Sequence, residues 1–363
     1  MCSPPTFRRL LTGLDTVQVC YYLRPTIGRE FSFETLTRLK ERARAAKIRD
    51  GVPVDMGAWS FQLRPSGSGS GYPLILEHPD YTLECGEFNN PSFFVTLRSR
   101  ALWQHGAAPL HEKFLAWADS VGLAVIRPES LSRVDFTFDY QIESPNFTID
   151  SVVSLSAKDD QRREDRRVQT IMFGKGDVVL RIYDKIAEIE QSSEKIWFYE
   201  LWGVKENVWR IEWQVRKDVL RRFGIRTFQD LFEGQGDLLR YLANEHDTLR
   251  VPSSDTNRSR WALHPLWVDL AEQIEEFRGQ GVYRALDPQA TLNAQLQRIA
   301  VSVYGYEKRV AAILSVQERV ESVTLGHAAT HLRDLIDRLH DPLSWRIDVA
   351  ARREQTRLGI GSD

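Results

Sequence analysis

Ser132–Tyr140 reads SRVDFTFDY, and its alternation divides it in two: Val134, Phe136 and Phe138 fall on one side of an extended chain, Asp135, Thr137 and Asp139 on the other. Two later stretches repeat the pattern. In VVLRIYDK, Val178–Lys185, the residues Val178, Leu180 and Ile182 oppose Val179, Arg181, Tyr183 and Lys185. In VWRIEWQVR, Val208–Arg216, the residues Trp209, Ile211, Trp213 and Val215 oppose Arg210, Glu212, Gln214 and Arg216. Three strands of period two predict one antiparallel sheet, apolar beneath and charged above.

Toward the N-terminus, LDTVQVCYYL (Leu14–Leu23) reads as a further strand. A helix near Phe33–Lys47 carries Leu36, Leu39, Ala43 and Ala46 on one side. RPSGSGSGY (Arg64–Tyr72) is a hairpin tip between WSFQL and PLILEH, and the strands YTLECGEF and SFFVTLRS precede a helix over His111–Val121. The expected fold class is α+β, an antiparallel sheet core with flanking helices.

After about residue 227 the periodicity becomes helical, and RVPSSDTNRS (Arg250–Ser259) reads as a linker. A chemical domain over 10–249 and a helical C-terminal region over 260–363 are expected. In that region Leu292, Leu296, Ile299, Val303, Tyr306, Val310 and Ile313 recur in alternating steps of four and three, as in a heptad seam. The seam suits a hairpin packed on Leu332, Leu335, Ile336 and Leu339, or a homodimer contact.

At 363 residues, 42% hydrophobic and 27% charged, the chain has the composition of a packed globular protein rather than a disordered one. No apolar run approaches a membrane span and no signal-peptide core opens the chain, so no membrane partner and a cytoplasmic location are expected. Cys2, Cys20 and Cys85 lack any paired spacing and read as free thiols, and none of the eight histidines falls in an H-E-x-x-H motif. The net charge of -2 offers no bulk argument for nucleic acid. Local charge does: Gln161–Lys185 carries net +3 and Lys205–Arg226 net +4, with Lys175, Arg210, Arg216 and Lys217 as candidate DNA contacts. Trp197, Trp202, Trp209 and Trp213 are candidate base-stacking surfaces, though Trp209 and Trp213 suit a core better.

The bland account of the polar side is an ordinary solvated sheet face. What favours chemistry is its mixture of acids, arginines and a tyrosine. Asp135 and Glu212 are candidate ligands for Mg²⁺ or Mn²⁺, which take hard oxygen donors and neutralise a scissile phosphate. Asp139 lies about 13 Å along the strand from Asp135 and cannot share one ion with it. Tyr183 is a candidate nucleophile. A phenol is only about one part in a thousand ionised at neutral pH, a handicap of about 4 kcal/mol that Arg181 and Lys185 would help offset.

The ordered set SRVDFTFDY, then QTIMFGKGDVVLRIYDKIAEIE, then VWRIEWQVRKDVLRRFGI resembles the Rep_trans replication-initiation-factor family of plasmid rolling-circle initiators and related relaxases of integrative elements. Its core is R-x-Y-[DN]-K, here Arg181, Tyr183, Asp184 and Lys185. The likeness covers about residues 10–245, and the turn Gly174–Asp177 departs from the family's serine-rich one. The resemblance implies a nucleophilic Tyr183 and a divalent ion held by Asp135 and Glu212. Glu212–Trp213–Gln214 is similar to the His-hydrophobic-His metal strand of wider rolling-circle nucleases, which makes Gln214 a third candidate ligand. The implied activity is nicking and rejoining of one strand at single-stranded or cruciform origin DNA through a 5′-phosphotyrosine, with a host helicase as partner. A conjugative relaxase, a metal nuclease using water and a catalytically silent DNA-binding or assembly protein are the alternatives. No G-x-x-x-x-G-K-[ST] loop is present, as suits an ATP-independent transesterification.

Overall fold

The computed structural model describes residues 7–164, 167–279 and 288–357. The chain divides into two units, Met1–Arg284 and Ala285–Asp363. In chain order the first begins with β1 (Phe7–Pro25), α1 (Phe33–Ala45), β2 (Val52–Met56), β3 (Trp59–Leu63), β4 (Leu74–Glu77), β5 (Tyr81–Cys85) and β6 (Phe93–Leu97). Next come α2 (Ser99–His105), α3 (Ala107–Ser120), β7 (Leu123–Ile142), β8 (Val152–Ser154), β9 (Asp159–Glu164), β10 (Arg167–Phe173) and β11 (Val178–Asp184). It closes with α4 (Lys185–Glu188), α5 (Phe198–Trp202), β12 (Val208–Arg216), α6 (Lys217–Arg222), α7 (Phe228–Tyr241), β13 (Asp247–Leu249) and α8 (Pro265–Glu275).

Eleven strands form one antiparallel sheet in the order β2-β3-β4-β5-β6-β1-β7-β12-β11-β10-β9. The fold is α+β, a large antiparallel sheet with flanking helices and a helical C-terminal region. Its seam is β1 against β7, two long strands paired from Phe7↔Ile142 to Pro25↔Leu123 with several bulges. The Gly/Ser segment is a hairpin tip between β3 and β4, as its composition predicts.

Local signals set the element ends. Ser32 Oγ accepts from the Thr35 amide at the start of α1, and Thr227 with Asp230 forms a capping box on α7. The β10–β11 turn needs Gly174: its φ is +90°, and a Cβ there would collide with the Val178 carbonyl oxygen.

Alternation puts one side of the sheet in the core. On the β1–β6 half, Tyr21 and Tyr81 pack on Phe114 of α3, and Trp117 stacks on Trp59 with centroids 4.9 Å apart. On the other half, Phe138 and Trp213 meet edge to face, and Trp213 meets Trp267 of α8 at 5.5 Å. Burying each such aromatic contributes about 2–3 kcal/mol. Trp267 is fully buried and donates to the Ala243 carbonyl at 2.7 Å. The expected boundary at Arg250–Ser259 therefore lies too early: the apolar face of α8 (Leu266, Trp267, Leu270, Ile274) belongs to the core of the first unit.

The second unit contains α9 (Pro288–Glu318), α10 (Leu325–Leu339) and α11 (Pro342–Arg357). Its buried side chains among the described residues are Leu314 and Ala328. Leu296, Ile299, Val303, Tyr306 and Ile313 are exposed, as are Leu335, Ile336 and Leu339, so the heptad seam is not sealed by α10. The Leu292 side chain lies outside those described. Among the described residues no helix is long and apolar enough to cross a membrane.

Candidate active site

Strand register brings the three sequence motifs together. β12 lies between β7 and β11, pairing Gln214↔Asp135, Glu212↔Thr137 and Arg210↔Asp139 on one edge, and Gln214↔Val179, Glu212↔Arg181 and Arg210↔Tyr183 on the other. Directly opposed residues share a face, so the polar residues predicted to lie together do so.

At the centre is Glu212. Its Oε2 accepts from the Tyr183 hydroxyl at 2.9 Å and its Oε1 from Arg181 Nη1 at 2.8 Å, while Arg181 Nη2 donates to Gln214 Oε1 at 3.2 Å. Asp135 is gripped by Arg133, Nε to Oδ1 at 2.7 Å and Nη2 to Oδ2 at 2.5 Å. The carboxylates are buried, whereas Arg181 and Arg133 keep 28% and 25% of their side chains exposed, so the guanidiniums form the solvent side of the cluster.

Electrostatics follow from this burial. Burial, and then the repulsion of Glu212, push Asp135 up to about 6 despite Arg133. Burial, and then Glu212, push the Tyr183 phenol well above its ordinary range, with Arg210 acting in the opposite sense. The ring faces charged neighbours all the same: Lys185 Nζ lies 5.5 Å from its centroid. Lys185 opens α4 and is itself buried, its Nζ 2.6 Å from Glu188; burial, and then Arg210, lower its pKa. It stands over the tyrosine from the end of the strand and not on a solvated face.

The polar side differs from expectation in being largely covered. Arg210, a predicted DNA contact, has no exposed surface: it holds Asp139 through Nε at 2.6 Å and Nη2 at 2.8 Å, and Asp15 through Nη1 at 2.9 Å. The segment after β11 closes over this network, Phe198 lying under the Arg210 guanidinium at 4.6 Å and Trp202 donating to Asp139 at 2.9 Å. Trp202, Trp209 and Trp213 are all buried, and only Trp197 among the four candidate stacking residues keeps partial exposure. Arg216, Lys217 and Lys175 are exposed, and the Arg216 amide donates to the Asp177 carbonyl at 2.8 Å, beside the turn that carries Lys175.

Sequence reasoning missed Asp15, Arg133 and Lys195. Asp15 sits where the β1–β7 register slips between Leu14 and Thr16, and such a bulge re-aims a side chain. Its carboxylate accepts from Lys195 at 3.0 Å, Ser99 at 2.8 Å and Trp103 at 3.2 Å, and Arg210 and Lys195 outweigh burial to keep it far below the ordinary range. An acid inside the apolar strand LDTVQVCYYL was the available signal.

Among the described residues no three His, Cys, Asp or Glu side chains gather as a metal site. The oxygen donors on offer are Asp135, Glu212 and Gln214, hard donors of the kind Mg²⁺ and Mn²⁺ take, and each already faces a cation in the form of an arginine. In donor type the three fit such an ion.

Residues 106–234, which hold Asp135, Tyr183 and Glu212, match the Phage_CRI family, described as the N-terminal part of a replication-associated protein. That segment, about a third of the chain, is similar to the N-terminal part of replication-associated proteins. The motif resemblance to replication initiators agrees at this level. A solved structure similar to this chain is a rolling circle replication initiator protein from Geobacillus stearothermophilus, with 16% identity, a TM-score of 0.41, and coverage of 75% of this chain and 98% of that one. No curated protein gives a significant sequence match.

Proposed function

We propose that the chain is a rolling-circle replication initiator that nicks and rejoins one DNA strand through Tyr183. The observation that carries the reading is the Tyr183 hydroxyl donating to Glu212 on a face shared with Asp135, Gln214 and Arg181. The description of the matching family, replication-associated, favours the initiator over the conjugative relaxase.

A buried phenol with a raised pKa is a poor spontaneous anion, so its proton must leave as the attack proceeds. Glu212 Oε2 is within reach to take it. The phenolic oxygen then bonds to phosphorus, the bond to the 3′-oxygen breaks, and that oxygen leaves as a 3′-hydroxyl with a proton from solvent. Arg181 and Arg133, on the solvent side of the carboxylates, would hold the phosphate oxygens, with Arg181 closest to the phenol's acceptor. Rejoining runs the same steps backwards. Asp135, Glu212 and Gln214 would hold a Mg²⁺ or Mn²⁺ ion, which supplies charge neutralisation at the phosphate when bound.

The test is incubation with a library of labelled single-stranded oligonucleotides and Mn²⁺. A covalent protein–DNA adduct mapped to Tyr183 is expected. Nicking that survives in Tyr183→Phe would make water the nucleophile and overturn the reading, and a salt-sensitive shift with no cleavage would make the chain a binder.

A further inference from the structure

The polar side of the sheet continues past the Tyr183 site. Asp135 pairs with Thr16, and from there β1 presents Gln18, Cys20 and Tyr22 on the same side, opposite Arg133, Ser130 and Arg127 of β7. On its other edge β1 sets Thr96 and Phe94 of β6 opposite Gln18 and Cys20. The alternate residues Val17, Val19 and Tyr21 are buried, whereas this set is half-buried or exposed and in contact with solvent.

Its chemistry becomes aromatic and cationic away from Tyr183. The Arg127 guanidinium lies 3.5 Å over the Tyr22 ring, and its Nη2 donates to Asn90 at 3.3 Å. Phe94 lies 6.3 Å from Tyr72, which closes the Gly/Ser hairpin. Lys217 and Arg221, exposed on α6, stand close enough to act on the Cys20 thiol. Tyr22 is six residues along β1 from the partner of Asp135, about 20 Å, a span that a few unpaired nucleotides cover.

We infer that this side of β1, β6 and β7, centred on Tyr22 and Arg127, is a stacking platform for the unpaired bases of the DNA strand whose phosphate is presented at Tyr183. The inference rests on the strand-transfer reading for where the strand leads. Every base has a flat face that stacks on Tyr, Phe or a guanidinium plane, and the cations attract the backbone. In duplex DNA those faces are occupied by neighbouring bases, so the platform selects single strands.

The test measures binding of fluorescent poly-dT oligonucleotides of about 6 and about 16 residues to the whole chain, its Tyr22→Ala/Arg127→Ala variant and Tyr22→Phe. Circular dichroism and thermal melts check folding. The wild type should gain affinity with length, the double variant should lose about tenfold on the longer strand, and Tyr22→Phe, which keeps the ring, should bind as the wild type. Equal loss on duplex DNA would make the surface a plain phosphate patch, and unchanged length dependence would remove it from the DNA path; either overturns the inference. The strand-transfer reading fails separately, by absence of adduct in the wild type, which leaves the binding result readable.

Discussion

Tyr183 and Glu212 stand on neighbouring strands and are joined hydroxyl to carboxylate at 2.9 Å, while Arg181 holds the other carboxylate oxygen at 2.8 Å. Tyr183→Phe keeps the ring and its packing and removes the donated proton. Stability should fall by about 1–2 kcal/mol, and covalent capture of labelled DNA should vanish on denaturing gels. An adduct formed by the Phe variant would assign the chemistry to another side chain.

Arg210→Met separates a structural role from a DNA contact. The guanidinium neutralises Asp139 and Asp15 with no exposure to solvent, and its loss leaves the buried Asp139 without a counter-ion and Asp15 with Lys195 alone. Breaking such a pair costs about 3–5 kcal/mol, readable as a lower urea midpoint. A variant of wild-type stability with weakened DNA binding would restore Arg210 to the interface.

Asp135 carries a signed dependence on pH. Its folded pKa, pushed up to about 6, exceeds the ordinary value near 4, so the folded chain holds this proton more tightly than the unfolded one. The contribution is fully present below about pH 4 and is lost as pH rises through about 6, a swing of about 3 kcal/mol. In chelator, the stability of the wild type relative to Asp135→Asn should fall by this order between those limits. Above about pH 6, Mn²⁺ should raise the melting temperature of the wild type and leave the variant unmoved. A difference that stays flat across the range would show that Asp135 does not titrate there.

Lys175→Ala and Arg216→Ala remove exposed cations near the β10–β11 turn. If both touch phosphates, each should weaken single-strand binding across sequences and lower the slope of log affinity against log salt by about 0.7. An unchanged slope would place the strand elsewhere.

The strands were legible because period two survives in the residues themselves: Val134, Phe136 and Phe138 face the core, and Asp135 and Glu212 share the other side with Tyr183. What the pattern could not report was whether that other side met solvent. A second apolar cluster, Ile189, Phe198, Trp202 and Val208, covers one end of it and turns Arg210 and Asp139 into a buried pair. Its residues lie in short helical turns and a strand start, where no long period announces them. The linker-like run before α8 misled for a related reason, since solvated composition at Arg250–Ser259 says nothing of where Trp267 packs.

The β1–β7 pairing also bears on how the chain reaches its fold. Its partners are separated by roughly 100 to 135 residues, so closing it requires ordering a large loop before any ladder contact rewards the search. During synthesis β1 emerges with an open edge and waits for β7, which makes slow assembly and self-association of nascent chains the expected hazard of production.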